Sequence, residues 1–454
     1  LTVAAVLRSW DLGSLNFWYD EVVTMRLATA PGPAAMLERL SQIDATRAPL
    51  HPLLLQGWIA IFGNSESSAR SLSVFFGVVT VALVWWIGRM TFDPATGLWS
   101  AGLAAVSPLL VYYSRESRMY ALLVTLTCLC WGLLLWPGEA RRSLTLWRIP
   151  AYVLGLTALL YTHPLGLLMT GTLALGSLLA PRQFFGSRGW WVGSHAAALL
   201  LAAPWIGRYL DHPPEFLSGR LPIKFLVGTP IGFVGGNGLV LVGLVAVAVL
   251  GLVHRRMLGP APVIARVACL VLWLSMPPGL LYLYSWFGSP IFGPARYTVF
   301  VAPAYLILIS QGLARLRLPA RAFAAVAIFL LAGQALRTTV YAPGLKADWR
   351  SFAEVISARL RDDDSTLITV LVPPPDPSSP RNLEVETARY YLPEVCRVVP
   401  LDSSPEAPGE GCLQGSVYLA VAVKGPASGP SPQVPGWVLD RRYAGLVVYR
   451  GVAP

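Results

Sequence analysis

Apolar runs of about twenty residues alternate with short polar breaks along the first three quarters of the chain, a spacing that fits helices crossing a bilayer. Windows near 1–10, 69–90, 97–113, 119–136, 150–163, 164–181, 190–207, 237–253, 266–284, 297–313 and 322–340 predict about eleven spans. The stretch 150–181 reads either as one helix kinked at His163-Pro164 or as two helices meeting at a tight turn. The apolar run before Asp11 is about half the length a span needs, so the first span is expected to be truncated, and no small-residue cleavage site marks a signal peptide there. Between the first two spans, residues 11–68 form a long polar loop. Within it Met36, Leu37, Leu40 and Ile43 recur at helical spacing among charges, which predicts a helix lying in the membrane interface. After Tyr341 the pattern changes: 348–361 reads as an amphipathic helix, 367–372 and 417–423 as strands, and the Pro-rich 373–380 as a loop. The predicted architecture is an α-helical polytopic membrane domain over 1–340, followed by a small α/β domain over 341–454.

Composition agrees with a membrane chain. Of 454 residues 55% are hydrophobic and only 13% charged, and the mean hydropathy is +0.56, outside the range of soluble domains. The formal charge of +11 does not describe a nucleic-acid surface, because the basic residues collect in alternate loops: Arg89; Arg141, Arg142 and Arg148; Arg182 and Arg188; Arg255, Arg256 and Arg266; Arg315, Arg317 and Arg321. By the positive-inside rule those loops face the cytoplasm. Asp20, Glu21, Glu66, Glu116, Asp211, Glu215, Arg296 and the C-terminal domain are then expected on the outer side of the plasma membrane. Cys396 and Cys412 fall in that outer domain, where they can pair as a disulfide or remain two small unpaired residues. Cys128, Cys130 and Cys269 fall in spans.

Four short segments carry polar groups where lipid makes them costly. Asn16-Phe17-Trp18-Tyr19-Asp20-Glu21 places two acids beside a span; Trp18 and Tyr19 can act as interfacial anchors, or the acids can mark a reaction site. Tyr112-Tyr113-Ser114-Arg115-Glu116-Ser117-Arg118-Met119-Tyr120 sets arginines, a glutamate and tyrosines in one turn, as a ligand site or as an ion network that staples it. His51-Pro52 and His163-Pro164 are turn residues or ligands; beside an acidic pair His51 can join Asp20 at a divalent metal. Arg296, in Gly293-Pro294-Ala295-Arg296-Tyr297, suits a phosphate, whose oxygens match the guanidinium fork, or snorkels to lipid headgroups. No Gly-rich phosphate loop, Cys-x-x-Cys pair or serine-nucleophile elbow is present. Hydrolysis of a glycosidic bond wants two cooperating carboxyl groups. A sugar already carried on phosphate needs only a base for the incoming hydroxyl and cations for the leaving phosphate, and one carboxylate with arginines suits that transfer.

The order Trp18-Tyr19-Asp20-Glu21, His51-Pro52, Arg70–Gly77, Ser107–Tyr120, Tyr161-Thr162-His163, Arg296-Tyr297 and Asp348-Trp349-Arg350 resembles the bacterial GT-C membrane glycosyltransferases of the protein O-mannosyltransferase type, with their ArnT and Rgt-type relatives. The resemblance covers nearly the whole chain. It implies an inverting transfer of a hexose or pentose from a polyprenyl-phosphate donor to a glycolipid, envelope-polysaccharide or protein acceptor on the outer face. It also implies catalytic roles for Asp20, Glu21 and Glu116, with Asp20 as base or metal ligand. Tyr19, His51, Tyr113, Arg115, Arg118, Tyr120, His163, Arg296 and Tyr297 would bind substrate, and Arg296 would contact phosphate. Two departures bear on the acceptor. The family's His-Pro-Pro-Leu-Tyr-Tyr is here His51-Pro52-Leu53-Leu54-Leu55, and its Gln-Glu-Ala-Arg is Arg115-Glu116-Ser117-Arg118. The rival readings are a transporter or flippase of lipid-linked sugars, which would place its charges near the midplane between repeated halves, and a non-catalytic scaffold. No internal repeat is visible, and the polar residues collect on one side.

Overall fold

The computed structural model describes residues 1–43, 48–136, 142–179, 188–211, 245, 261–287, 295–342, 346–362, 368–372, 383–392, 397–400, 416–423, 434 and 437–451. The expected span near 237–253, apart from residue 245, the loop 373–380, Cys396 and Cys412 lie outside them. The chain divides into two compact units, one of Leu1–Trp10, Leu27–Asn64 and Ser68–Val340, the other of Asp11–Arg26, Ser65–Ser67 and Tyr341–Pro454. The segments Asp11–Arg26 and Ser65–Ser67 therefore group with the C-terminal region across the boundary drawn at 340.

The first unit is helical: α1 Thr2–Ser9, α3 Pro33–Ile43, α4 Leu50–Phe62, α5 Glu66–Thr91, α6 Pro94–Val106, α7 Pro108–Ser114, α8 Tyr120–Leu135, α9 Arg142–Leu160, α10 Leu165–Leu179, α11 Arg188–Asp211, α12 Ala261–Phe287, α13 Ala302–Arg315 and α14 Leu318–Thr339, with 3-10 turns at Ala295–Tyr297 and Val299–Val301. Helix α2, Tyr19–Ala28, belongs mostly to the second unit. Among the described residues Glu66–Thr91, Val263–Phe287 and Leu318–Thr339 are long and apolar enough to cross a membrane. Helices α6 and α7 make a fourth span if taken as one bent by 58°, and five further apolar helices are shorter. Continuous apolar sequence over 97–113 predicts one span, but the structure breaks it at Ser107-Pro108. Proline offers no N–H to the helix and disfavours helical backbone at the residue before it. Over 150–181 the two-helix alternative holds, with the turn at Tyr161–Pro164 separating α9 from α10.

Helix ends at membrane depth need partners for their carbonyls, and arginines supply them. Arg8, fully buried, donates from Nη1 to Ala105 O (3.0 Å), from Nη2 to Ala104 O (3.1 Å) and from Nε to Ser114 Oγ (3.2 Å), holding the α6–α7 break. Arg148 donates to Leu133 O (2.8 Å) at the end of α8, and Arg266 to Met90 O (2.7 Å) at the end of α5. Close packing does the rest: Trp131 stacks on Trp273 at 5.4 Å, Trp273 Nε1 donates to Phe300 O, and Thr80 meets Thr125 across helices at 2.8 Å. Gly166, in the first turn of α10, leaves no room for a methyl group, which would overlap the Leu159 carbonyl. Gly166→Ala is expected to cost about 1–3 kcal/mol and lower the thermal midpoint of the detergent-purified protein. Gly102→Ala, where a methyl meets nothing within 4 Å, leaves it in place.

In the second unit a five-stranded sheet has the order β2-β1-β3-β5-β4, with β1 Ile368–Val372, β2 Arg397–Pro400, β3 Ser416–Ala422, β4 Trp437–Tyr443 and β5 Leu446–Gly451. β1 runs parallel to β2 and β3, while β5 pairs antiparallel with β3 and β4. Helices α15 Trp349–Asp362 and α16 Leu383–Tyr391 cover one face through Trp349, Phe352, Ile356, Val385 and Ala388, which meet Val370, Tyr418 and Val448. The two-residue turn between β4 and β5 requires Gly445: its φ is +70°, and a side chain would press on the Lys346 carbonyl at 2.5 Å.

Candidate active site

In the second unit the acidic pair opens helix α2, where the helix N-terminus favours negative charge. Glu21, with no exposed surface, accepts the Trp18 N–H at Oε2 (3.4 Å), the reach-back of a third helical residue to the cap. The same oxygen receives Lys346 Nζ at 2.8 Å, and Lys346 also sits 5.9 Å from the Trp18 ring centre. Asp20 is partly exposed, and its backbone carbonyl accepts Thr24 Oγ1 (2.9 Å). Around the pair, Asn16 Nδ2 donates to Ala347 O (3.1 Å) and Asp348 Oδ1 (3.3 Å), while Asp348 Oδ1 caps α15 at Ser351 N–H (3.2 Å). Phe17 N–H donates to the Tyr391 hydroxyl (2.6 Å), which donates to Glu66 Oε1 (3.0 Å). Arg350 reaches Glu66 (3.4 Å) and the Gly13 carbonyl (3.2 Å). Burial, then the Glu66 carboxylate, pushes the Tyr391 phenol well above its usual range.

In the first unit the turn between α7 and α8 folds back on itself through Arg118 N–H to Glu116 O (2.7 Å). Glu116 and Arg118 are buried, as are Tyr120, His163 and Tyr297. Their rings form a chain: Tyr113 to Tyr120 at 5.2 Å, Tyr120 to His163 at 6.1 Å and His163 to Tyr297 at 6.4 Å. Two guanidiniums flank it, Arg118 at 6.0 Å from the Tyr120 ring and Arg296 at 5.1 Å from the Tyr297 ring, and the charges of both act on His163. His163 Nδ1 accepts the Leu165 N–H (3.0 Å), which leaves Nε2 to carry the proton. Leu50 N–H donates to Tyr161 O (3.0 Å), tying the first turn of α4, and His51 with it, to this turn. His51 is 2% exposed, its Nε2 makes no hydrogen bond among the described residues, and burial followed by the Arg118 charge pushes it down to about 3, so the ring is neutral.

Arg115 turns elsewhere: it donates to the carbonyls of Arg8 (3.1 Å) and Trp10, closing the end of α1. Tyr19 opens α2 beside Asp20. Sequence reasoning passes over Lys346, although it stands two residues before the quoted Asp348-Trp349-Arg350. It also passes over an apolar cavity of about 720 Å³ in the first unit. His163 and Tyr297 belong both to the ring chain and to the cavity wall, whose other residues include Leu167, Leu168, Gly171, Leu280, Tyr284 and Phe287. Among the described residues no three His, Cys, Asp or Glu side chains are placed to hold a metal ion.

Residues 46–207 match the family described as dolichyl-phosphate-mannose-protein mannosyltransferase. No curated protein sequence matches the chain. Among solved structures it is similar to ArnT from Cupriavidus metallidurans in the apo state, at TM-score 0.63 and 12% identity, over 100% of this chain and 97% of that one. The same protein bound to undecaprenyl phosphate superposes at TM-score 0.59 with 12% identity and the same coverage. The Archaeoglobus fulgidus oligosaccharyltransferase in complex with Zn and sulfate matches at TM-score 0.51 and 14% identity, over 88% of this chain and 61% of that one. At these identities the structures establish the fold, and the family segment includes His51, Glu116, Arg118 and His163. Family segment and whole-length fold agree: residues 46–207 match the mannosyltransferase family, and the chain as a whole has the GT-C membrane-protein fold of ArnT.

Proposed function

We propose that the protein transfers a hexose or pentose, with inversion, from a polyprenyl-phosphate donor to an envelope glycolipid, polysaccharide or protein on the outer face of the plasma membrane. The observation that carries this reading is the junction of the Arg118, Arg296 and His163 cluster with the apolar cavity, which share His163 and Tyr297. A phosphate with a long hydrocarbon tail needs that pairing of cations and lipid-like wall, and the solved ArnT complex with undecaprenyl phosphate supports it by fold.

In the proposed reaction the acceptor hydroxyl oxygen bonds to the sugar's anomeric carbon while the bond from that carbon to the phosphate oxygen breaks. Asp20 takes the hydroxyl proton, and Arg118 and Arg296 meet the second negative charge that develops on the departing phosphate. Glu116 and the neutral His51 orient the sugar and the guanidiniums. Asp20 acts on the acceptor hydroxyl directly or through a divalent ion, which would lower the hydroxyl's proton affinity.

Purified full-length protein incubated with labelled polyprenyl-phosphate sugars and membrane extract tests the reading: label reaching an acceptor supports it, and no transfer from any donor overturns it. Gly171 adds a sharper test. It lines the cavity, and a side chain built there meets nothing within 4 Å. Gly171→Trp is expected to raise KM about 10-fold or more for long-tailed donors, the order of 1–3 kcal/mol lost from apolar burial, and to leave KM for a short-tailed donor near wild type.

A further inference from the structure

The second acid of the Asp20-Glu21 pair is held in a way a proton acceptor is not. Glu21 is fully buried, and one carboxylate oxygen serves both the Trp18 N–H and the Lys346 ammonium, itself only 10% exposed. Lysine is rare in this chain, three residues against 32 arginines, yet lysine stands here. A compact ammonium offers a point charge to one oxygen, where a guanidinium would spread over two.

Lys346 is itself fixed from three directions. Its carbonyl abuts Gly445, whose positive φ makes the β4–β5 turn. The next two residues are tied in as well: Asp348 N–H donates to Ala444 O (2.9 Å), and Asn16 Nδ2 bridges Ala347 O and Asp348 Oδ1. Asn16 begins the same hexapeptide that ends in Glu21. The acidic segment is therefore clasped at both ends by residues 346–348, which the sheet's last hairpin holds in place.

We infer that Glu21 and Lys346 are a positioning pair for the transfer reaction: the buried ion pair sets the first turn of α2 and with it the direction of Asp20, while proton transfer belongs to Asp20. This rests on the proposed function. Breaking a buried pair from one side leaves an uncompensated charge, which is far more disruptive than removing both partners. The expected pattern follows from that asymmetry. Lys346→Met lowers kcat about 30-fold or more, which is about 2 kcal/mol of barrier, with donor KM within about twofold, because the donor's phosphate contacts lie on other residues. Lys346→Arg restores most of the activity, and Glu21→Gln combined with Lys346→Met is faster than Lys346→Met alone.

A second readout does not depend on catalysis. With only three lysines in the chain, amine-reactive labelling of the full-length protein in detergent, read by mass spectrometry, reports on Lys346 directly. Lys346 is expected to be protected in wild type and reactive in Glu21→Gln. Equal labelling of the two proteins overturns the pairing. Transfer by wild type that Lys346→Met leaves unchanged overturns the positioning role while the proposed function stands. A loss in Lys346→Met that Lys346→Arg does not recover, or one that matches the fall in folded protein by thermal melting, also overturns it. Wild type with no transfer from any donor overturns the proposed function and the role of the pair with it, even where labelling finds the pair intact.

Discussion

Asp20→Asn is expected to abolish sugar transfer in a protein that still inserts, purifies and melts as wild type. The amide has nearly the shape of the carboxylate but cannot accept a proton from the acceptor hydroxyl. General-base assistance of this kind is worth about 10²–10⁴-fold, which takes a slow transferase below detection. The substitution is also expected to be structurally mild. Helix α2 begins with Glu21 reaching back to Trp18 and Thr24 bonding the Asp20 backbone carbonyl, and asparagine keeps both contacts. Single-turnover transfer measured beside a thermal melt checks the claim: full activity in Asp20→Asn would sink the assignment of the base. Glu21→Gln should behave differently, losing thermal stability together with rate because it strips Lys346 of its partner.

The second large effect belongs to the two arginines. Arg118→Gln and Arg296→Gln are each expected to lower kcat/KM about 10²-fold, and the double variant by less than the product of the two. The donor phosphodiester carries one negative charge, and the leaving phosphate monoester gains a second as the bond breaks. Cations beside it therefore act more strongly in the transition state than in the bound donor, where removing one preorganised donor typically costs 10²–10³-fold in rate. The loss should fall on kcat more than on KM. Because both charges act on His163, their effects are coupled and non-additive. Lysine at either position should recover part of the rate by restoring charge without the two-pronged geometry. Equal kcat in wild type and Arg118→Gln would remove that residue from the phosphate site.

Much of the membrane region is legible in the sequence because apolar run length is a coarse signal that survives irregular detail. The edges of Glu66–Thr91 and Leu318–Thr339 fall within a few residues of the expected windows. The break at Ser107-Pro108 hides in an unbroken apolar run, since hydropathy does not register a missing N–H. In the C-terminal region α15, β1 and β3 follow from amphipathic or β-branched runs. Strand β4 carries Asp440, Arg441 and Arg442, so alternation fails and it escapes notice. Polar residues stand out against lipid-like surroundings, which is why Asp20, Glu116, Arg118 and Arg296 are the candidates that the sequence singles out. The cavity wall does not: Leu167, Leu280 and Phe287 are apolar residues among apolar residues, and only the fold brings them together. Composition likewise does not tell Glu21 from Asp20. Burial of one carboxylate against a lysine 325 residues away is a tertiary fact.

Arg8 carries a consequence for how the protein is made. Its guanidinium is held by carbonyls of Ala104 and Ala105 and the hydroxyl of Ser114, about a hundred residues downstream. A ribosome delivers α1 well before those partners exist, and an arginine in a helix at membrane depth is costly until something polar meets it. Nascent α1 thus carries a guanidinium whose partners come only with the arrival of the proline-broken helix. Arg8 in α1 must wait for α6 and α7 to supply those partners, and a chain stalled before residue 104 should leave α1 exposed to quality-control proteolysis.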